Sequence, residues 1–259
     1  MEKPEVMVVI PTLGTRLASL ERALESCDSL TGLSDASIFV IVPKGALKAR
    51  NLAARHGATV IDDPGTGMAM AINAALDART SEKYYVWLGD DDLLVGPGVA
   101  KLVKALRGNS EAVVAHGQCE YISESGTTLG VNRLGRYAGF FLPWGPNFIP
   151  HPGTVVSLDA LQGIGGFDPR LTYALDLDVF LKLRKMGRFV TVPAIASRFC
   201  WHTESLTVAD RAASSREAMA VKVSHLPPWL RFMSPLWNWP VAWASARAAR
   251  RLDVLASRQ

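Results

Sequence analysis

Cysteine is scarce. The three residues Cys27, Cys119 and Cys200 are an odd number without metal-ligand spacing. That excludes a disulfide framework and points to reduced thiols in a cytosolic protein. Long apolar runs are also missing: no stretch of about 18 residues is both uncharged and continuously apolar, so no spanning helix is expected. Met1-Glu2-Lys3-Pro4-Glu5 lacks the basic-then-apolar layout of a signal peptide. Charged residues make up only 20% of the chain against 49% hydrophobic, which excludes a disordered chain. At 259 residues the chain suits one large α/β domain, or one domain with an appendage. It holds no internal repeat and no low-complexity segment.

The net charge of +4 is unevenly spread. From Leu206 onward there are eight Lys or Arg against three Asp or Glu, which leaves 20 basic and 21 acidic residues in the body. A basic tail on a near-neutral body implies an anionic partner surface, membrane or nucleic acid.

What is present is an alternation of strand and helix. Buried-strand runs at 6–10, 38–42, 59–61 and 84–88 are separated by helical patterns at 17–26, 48–56 and 68–78. Such alternation predicts a parallel sheet covered on both faces, with ligands beyond the carboxyl ends of the strands. Pro11-Thr12, Asp62-Asp63 and Asp90-Asp91-Asp92 all stand at such ends. Further on, the pattern predicts a helix at 99–107, a strand at 112–116, a hairpin at 120–130 and an irregular aromatic loop at 137–152. A strand at 154–157, a helix at 158–163, a turn at 165–168, a helix at 176–186 and strands at 189–192 and 194–201 follow.

The run Tyr84-Tyr85-Val86-Trp87-Leu88-Gly89-Asp90-Asp91-Asp92 concentrates the chemistry. Three adjacent carboxylates at a strand's end repel one another, and packing does not require them. A hard divalent cation with oxygen ligands, its shell completed by phosphates, would relieve that repulsion. A solvated acidic turn is the structural alternative.

Taken in order, the motifs resemble those of the family 2 glycosyltransferases, over roughly 6–207. The resemblance implies the GT-A fold: α/β, with a Rossmann-like mixed sheet flanked by helices. It places a nucleotide-binding half at about 1–117 and an acceptor half at about 118–207, with 208–259 left as a basic, Trp-rich helical tail. Val9-Ile10-Pro11-Thr12-Leu13-Gly14-Thr15-Arg16 resembles the family's first strand and turn, which sets Pro11, Thr12 and Arg16 against the nucleotide. Gly67 and Asn73 match the family's glycine and asparagine near the same ligand. The usual aspartate after the second strand is replaced by Pro43-Lys44, so Asp62 or Asp63 is expected to contact the base, and the base itself stays open.

Leu88-Gly89-Asp90-Asp91-Asp92 resembles the family's Asp-x-Asp motif in two registers. Spacing pairs Asp90 with Asp92; aligning the leucines puts Gly89 in place of the first carboxylate and makes Asp91 the main ligand. We assign Asp91, Asp92 and His202 to Mn2+ or Mg2+, and Asp90 to the donor. Gly165-Gly166-Phe167-Asp168 with Leu175-Asp176-Leu177-Asp178 resembles the family's final pair of acidic motifs, and makes Asp176 the general base. Leu175 stands where a Glu is usual, and capping of the following helix is the alternative role for Asp176. Arg198-Phe199-Cys200-Trp201-His202-Thr203-Glu204-Ser205-Leu206-Thr207 resembles the closing segment, with Ser205 and Thr207 toward phosphate. His151 is expected near the acceptor in a structural role.

The resemblance therefore implies an inverting, metal-dependent transferase. It would use a nucleotide-sugar donor and a lipid-linked or saccharide acceptor in cell-surface polysaccharide or glycolipid synthesis. A sugar nucleotidyltransferase, or a silent glycan- or lipid-binding module, are the alternatives. Four of the seven tryptophans lie in 226–243, followed by Arg247, Arg250 and Arg251. Tryptophan beside arginine suits a peripheral position at the inner face of the cell membrane. Packing on the catalytic domain or on a second copy in a homo-oligomer is the other reading. Nothing in the body supports nucleic acid.

Overall fold

Buried β-branched runs alternating with amphipathic helices build one mixed sheet in this computed structural model. It describes residues 4–31, 36–133, 135–145, 147–201, 210–236, 240 and 247. Strands β1 (Val6–Pro11), β2 (Ala36–Val42), β3 (Thr59–Asp62) and β4 (Tyr84–Trp87) run parallel in the order β3-β2-β1-β4. Helices α1 (Leu17–Thr31), α2 (Leu47–Arg55) and α3 (Met68–Asp77) connect them. Period-two alternation sorts each strand's side chains into two cores. Met7, Val9, Phe39, Ile41 and Tyr85 face one core, and Val6, Val8, Ile10, Val40 and Val86 the other.

Beyond β4 the sheet becomes mixed. The edge of the parallel block continues through β8 (Thr154–Ser157), β6 (Ala112–Ile122), β9 (Arg188–Cys200) and β5 (Leu93–Leu94), with β7 (Thr128–Val131) forming a hairpin on β6. β8 is antiparallel to both β4 and β6, whereas β9 is parallel to β6. Helices α4 (Gly96–Arg107), α5 (Gly135–Phe141), α6 (Leu158–Gly163) and α7 (Leu175–Leu183) fill the connections, and α8 (Arg211–His225) and α9 (Pro228–Arg231) follow the last strand.

Two expectations change, and one strand is added. The two strands anticipated at 189–201 are one, β9, whose pairing with β6 shifts register between His116 and Gln118, opposite Thr191 and Ile195. Pro193 sits within that shift, where a residue without an N–H breaks no ladder bond. Part of the aromatic segment read as irregular forms α5. Leu93–Leu94, too short for any periodicity, pairs with Ser197 and Arg198 as an edge strand.

Candidate active site

The acidic triplet turns immediately past β4, and its three carboxylates have three different environments. Asp90 is buried; its Oδ2 accepts the Thr12 hydroxyl at 2.6 Å and its Oδ1 accepts an Arg16 N–H at 2.6 Å. Arg16 extends its other arm to Asp91 Oδ2 at 2.8 Å, so one guanidinium bridges both groups. Burial raises the Asp90 pKa, opposed by the Thr12 hydroxyl and Arg16. Burial also works against the charge on Arg16, but Asp90 and Asp91 outweigh it and raise its pKa. Asp91 is the more exposed of the pair, at 18% of its side chain against 8% for Asp90.

Asp92 points inward. Its Oδ1 accepts the Cys200 backbone N–H at 3.0 Å, tying the turn to β9, and burial pushes its pKa well above the carboxylate range. Its Oδ2 is buried with no hydrogen-bond partner among the described residues. Gly89 is a close-packed position: a Cβ there would stand 2.7 Å from Asp92 Oδ2 and 3.0 Å from Asp91 Oδ1. The glycine that departs from the family's motif thus leaves room for the two carboxylates beside it.

The other residues expected at the donor differ in how they are engaged. Pro11 ends β1 in register with Ile41. Asp63 Oδ1 accepts the Gly65 N–H at 2.8 Å, shaping the loop into α3, while Asp62 is held by Arg50 at 2.8 Å and Lys44 at 3.5 Å. Gly67 precedes α3 with φ 108° and open space where a side chain would project. Asn73, expected near the nucleotide, has its amide engaged elsewhere. Its Nδ2 donates to the Phe167 carbonyl at 2.8 Å and its Oδ1 accepts the Phe167 N–H at 2.9 Å. It fastens α3 to the Gly165-Gly166-Phe167 turn, and at Gly166 (φ 70°) a Cβ would lie 2.6 Å from Asn73 Oδ1. His202, Ser205 and Thr207 lie outside the described residues.

Asp176 occupies the first turn of α7. Its Oδ1 accepts the Leu177 N–H at 2.8 Å and its Oδ2 accepts Asn147 Nδ2 at 3.2 Å. The carboxylate therefore has a partial capping role as well. Its apolar surroundings raise its pKa to about 6, against the pull of those donors. Two residues that sequence reasoning missed support it. One is Asn147. The other is Glu217 on α8, whose Oε1 accepts the N–H groups of Thr172 (3.1 Å), Tyr173 (2.7 Å) and Ala174 (2.7 Å). No local motif marks Glu217, because its partners lie more than forty residues away. Beside α7, His151 stacks on Trp87 at 4.7 Å with an interplanar angle of 7°, and packs against Tyr85, Phe167 and Phe180. Burial lowers its pKa to about 3, so it is neutral and its part is in packing.

No family model and no curated protein matched the chain. Solved structures do. A mannosyltransferase from Pyrobaculum calidifontis, in complex with GDP-Man and Mn2+, superposes with TM-score 0.65 at 20% identity, over 99% of this chain and 80% of that one. S. aureus TarS 1-349 with UDP-GlcNAc superposes with TM-score 0.64 at 12% identity, over 85% and 66%. Glucosyl-3-phosphoglycerate synthase from Mycobacterium tuberculosis, with Mn2+, UDP and glucosyl-3-phosphoglycerate, gives TM-score 0.61 at 17% identity, over 86% and 80%. The chain has the GT-A fold.

Asp91, a hard oxygen donor and the more exposed of the Arg16-bound pair, would be the carboxylate most open to a divalent cation. Asp90 could join it only by giving up Thr12 or Arg16. Asp92 is enclosed, with Oδ1 accepting the Cys200 N–H and Oδ2 left without a hydrogen-bond partner among the described residues. Among the described residues no three His, Cys, Asp or Glu side chains form a ligand group, so the rest of a shell would come from phosphate oxygens and water.

Proposed function

We propose that the protein is an inverting glycosyltransferase that moves a sugar from a nucleotide-sugar donor to a lipid-linked or saccharide acceptor, with Mn2+ or Mg2+ at the donor. The observation that carries this reading is Asp176. It is a carboxylate in the first turn of α7 whose burial raises its pKa to about 6, in a fold shared with enzymes solved with GDP-Man and UDP-GlcNAc. A base of that strength is ionised at neutral pH and still able to take a proton.

In this reading, Asp176 receives the proton of an acceptor hydroxyl as its oxygen attacks the anomeric carbon. The bond from that carbon to the diphosphate breaks, and the nucleoside diphosphate leaves. Asn147 fixes the carboxylate's orientation through Oδ2. On the donor side, Thr12 and Arg16 hold Asp90, and Arg16 brings a positive charge to the turn where the diphosphate is expected. A bound cation, with Asp91 as its protein ligand, would offset charge on the leaving group.

The test is nucleoside diphosphate release from a panel of GDP- and UDP-sugars with candidate acceptors, with and without Mn2+. Release that needs metal and disappears in Asp176→Asn is expected. Pyrophosphate from a nucleoside triphosphate would instead mark a nucleotidyltransferase. Binding of donor without any product across the panel would favour the silent module. We also propose a peripheral place at the inner membrane face. No helix among the described residues is long and apolar enough to cross a membrane, while Trp237, Trp239 and Trp243 lie outside the described residues.

A further inference from the structure

At α7, α8 and the segment after α5 lies a pocket of about 220 Å3, open to solvent on the side of Arg184 and Lys185. Arg184, Lys185, Lys222 and His225 line it, with Pro143 and Leu226 as apolar walls. Such a volume is many times what one water needs. Its charge is one-sided. Lys222 is 7% exposed, and its ammonium donates to the Gly145 carbonyl. Among the described residues, Lys222, Arg184 and Lys185 have no carboxylate partner. The nearby Asp178 is already shared by His225 at 2.8 Å and Lys182 at 2.7 Å. Burying an ammonium against one carbonyl is costly, and burial lowers the Lys222 pKa to about 8. An anion in the cavity would remove that cost.

The chain around the cavity says which anion. Trp144 follows Pro143, and Trp229 and Phe232 follow Leu226; they are 36%, 68% and 76% exposed. Arg231 pins this second segment by donating to the carbonyls of Leu226 and Ser224, at 3.1 and 3.0 Å. Large exposed aromatic side chains bracketing an uncompensated basic pocket match a bilayer interface, where rings sit at headgroup level and cations meet phosphate. We propose that this pocket binds the phosphate of an anionic lipid headgroup, with the bracketing aromatic side chains resting in the same lipid surface. The proposal extends the membrane-side reading above, but its test needs no turnover and so fails or succeeds independently of it.

The experiment is co-sedimentation of the full chain with phosphatidylglycerol vesicles and with phosphatidylcholine vesicles. Binding to the former is expected, falling tenfold or more in Lys222→Met and in Arg184→Gln/Lys185→Gln. The second variant changes only exposed side chains, so it keeps the test valid if Lys222→Met fails to fold. Lys48→Gln/Arg55→Gln removes the same charge elsewhere on the surface and should leave binding within twofold. Equal losses in the two double variants would reduce the effect to general electrostatics and overturn the proposal. So would unchanged binding in Arg184→Gln/Lys185→Gln. Calorimetry with inorganic phosphate separates the sources: a Lys222-dependent phosphate signal without vesicle binding would make this a site for soluble phosphate and overturn the lipid assignment.

Discussion

The two ends of the candidate site bury carboxylates alike but give them different partners. At the acidic turn, Asp90 and Asp91 share Arg16, and Asp92 is buried against a backbone N–H. Arg16 offsets the repulsion at Asp90 and Asp91, while Asp92, raised by burial and by its neighbour Asp91, keeps one oxygen without a hydrogen-bond partner among the described residues. At α7, Asp176 has two neutral donors and, among the described residues, no cation bonded to it, and its pKa rises to about 6. In the proposed reading, Asp90 and Asp91, compensated by Arg16, face the donor, and Asp176, with neutral donors alone, accepts the proton. Environment, not residue type, assigns the roles.

The sharpest way to break this comparison is Asp176→Asn. Turnover should fall by about 10²–10⁴-fold, the range for loss of a general base, with donor affinity unchanged. Activity of the unaltered enzyme should fall as pH drops through about 6, as Asp176 takes up its proton. Stability should move the other way. Between about 4 and 6 the native state holds a proton that the unfolded chain releases, so stability declines as pH rises through that window. Above it, Asp176→Asn should be the more stable protein, by on the order of 1–2 kcal/mol in denaturant titrations. If its stability equals that of the unaltered protein at both pH 4 and pH 8, the carboxyl is not perturbed in this way.

At the other end, the turn makes unequal predictions for neighbouring residues. Asp91→Ala should lower metal-dependent turnover about a hundredfold or more, with weaker Mn2+ activation. Asp92→Asn should stay within about tenfold, because an amide oxygen can still accept the Cys200 N–H. Equal loss of Mn2+ activation in both would make Asp92 a ligand alongside Asp91. A smaller effect is expected from Arg16→Met, about 1–2 kcal/mol of stability once its 39% exposure is discounted. With the guanidinium gone, Mn2+ alone should raise the melting temperature of that variant more than that of the unaltered protein. An equal shift in both would mean that Arg16 and the cation do not compete.

Most of the parallel block was legible in the sequence, because runs such as 6–10 and 38–42 are buried on both faces and bounded by breakers. The acidic turn was legible as a place, since packing does not call for three adjacent carboxylates, but not as a division of labour. Which of them turns inward depends on the Cys200 N–H, 108 residues away. Asn73 illustrates the same limit. Its motif was visible, yet its partner is the Phe167 backbone, and that contact exists only once α3 packs beside the glycine turn. α8 fell in the stretch read as a tail, because its anchors are long-range and polar and leave little periodic trace.

Glu217 supplies the smallest expected effect and the finest probe of the difference between the two ends. Its carboxylate collects three backbone N–H groups just ahead of α7, much as Arg16 collects two carboxylates with the sign reversed. Charge-assisted hydrogen bonds are roughly twice as strong as neutral ones. Glu217→Gln keeps an acceptor and loses the charge, so a cost of about 1 kcal/mol is expected. It should appear as faster amide exchange at Thr172, Tyr173 and Ala174, with exchange on β1 and β2 unchanged. Because this segment leads directly into the turn that carries Asp176, a fall in kcat at constant donor KM should accompany it. Faster exchange with no change in kcat would mean that α8 stabilises the fold without aligning the base.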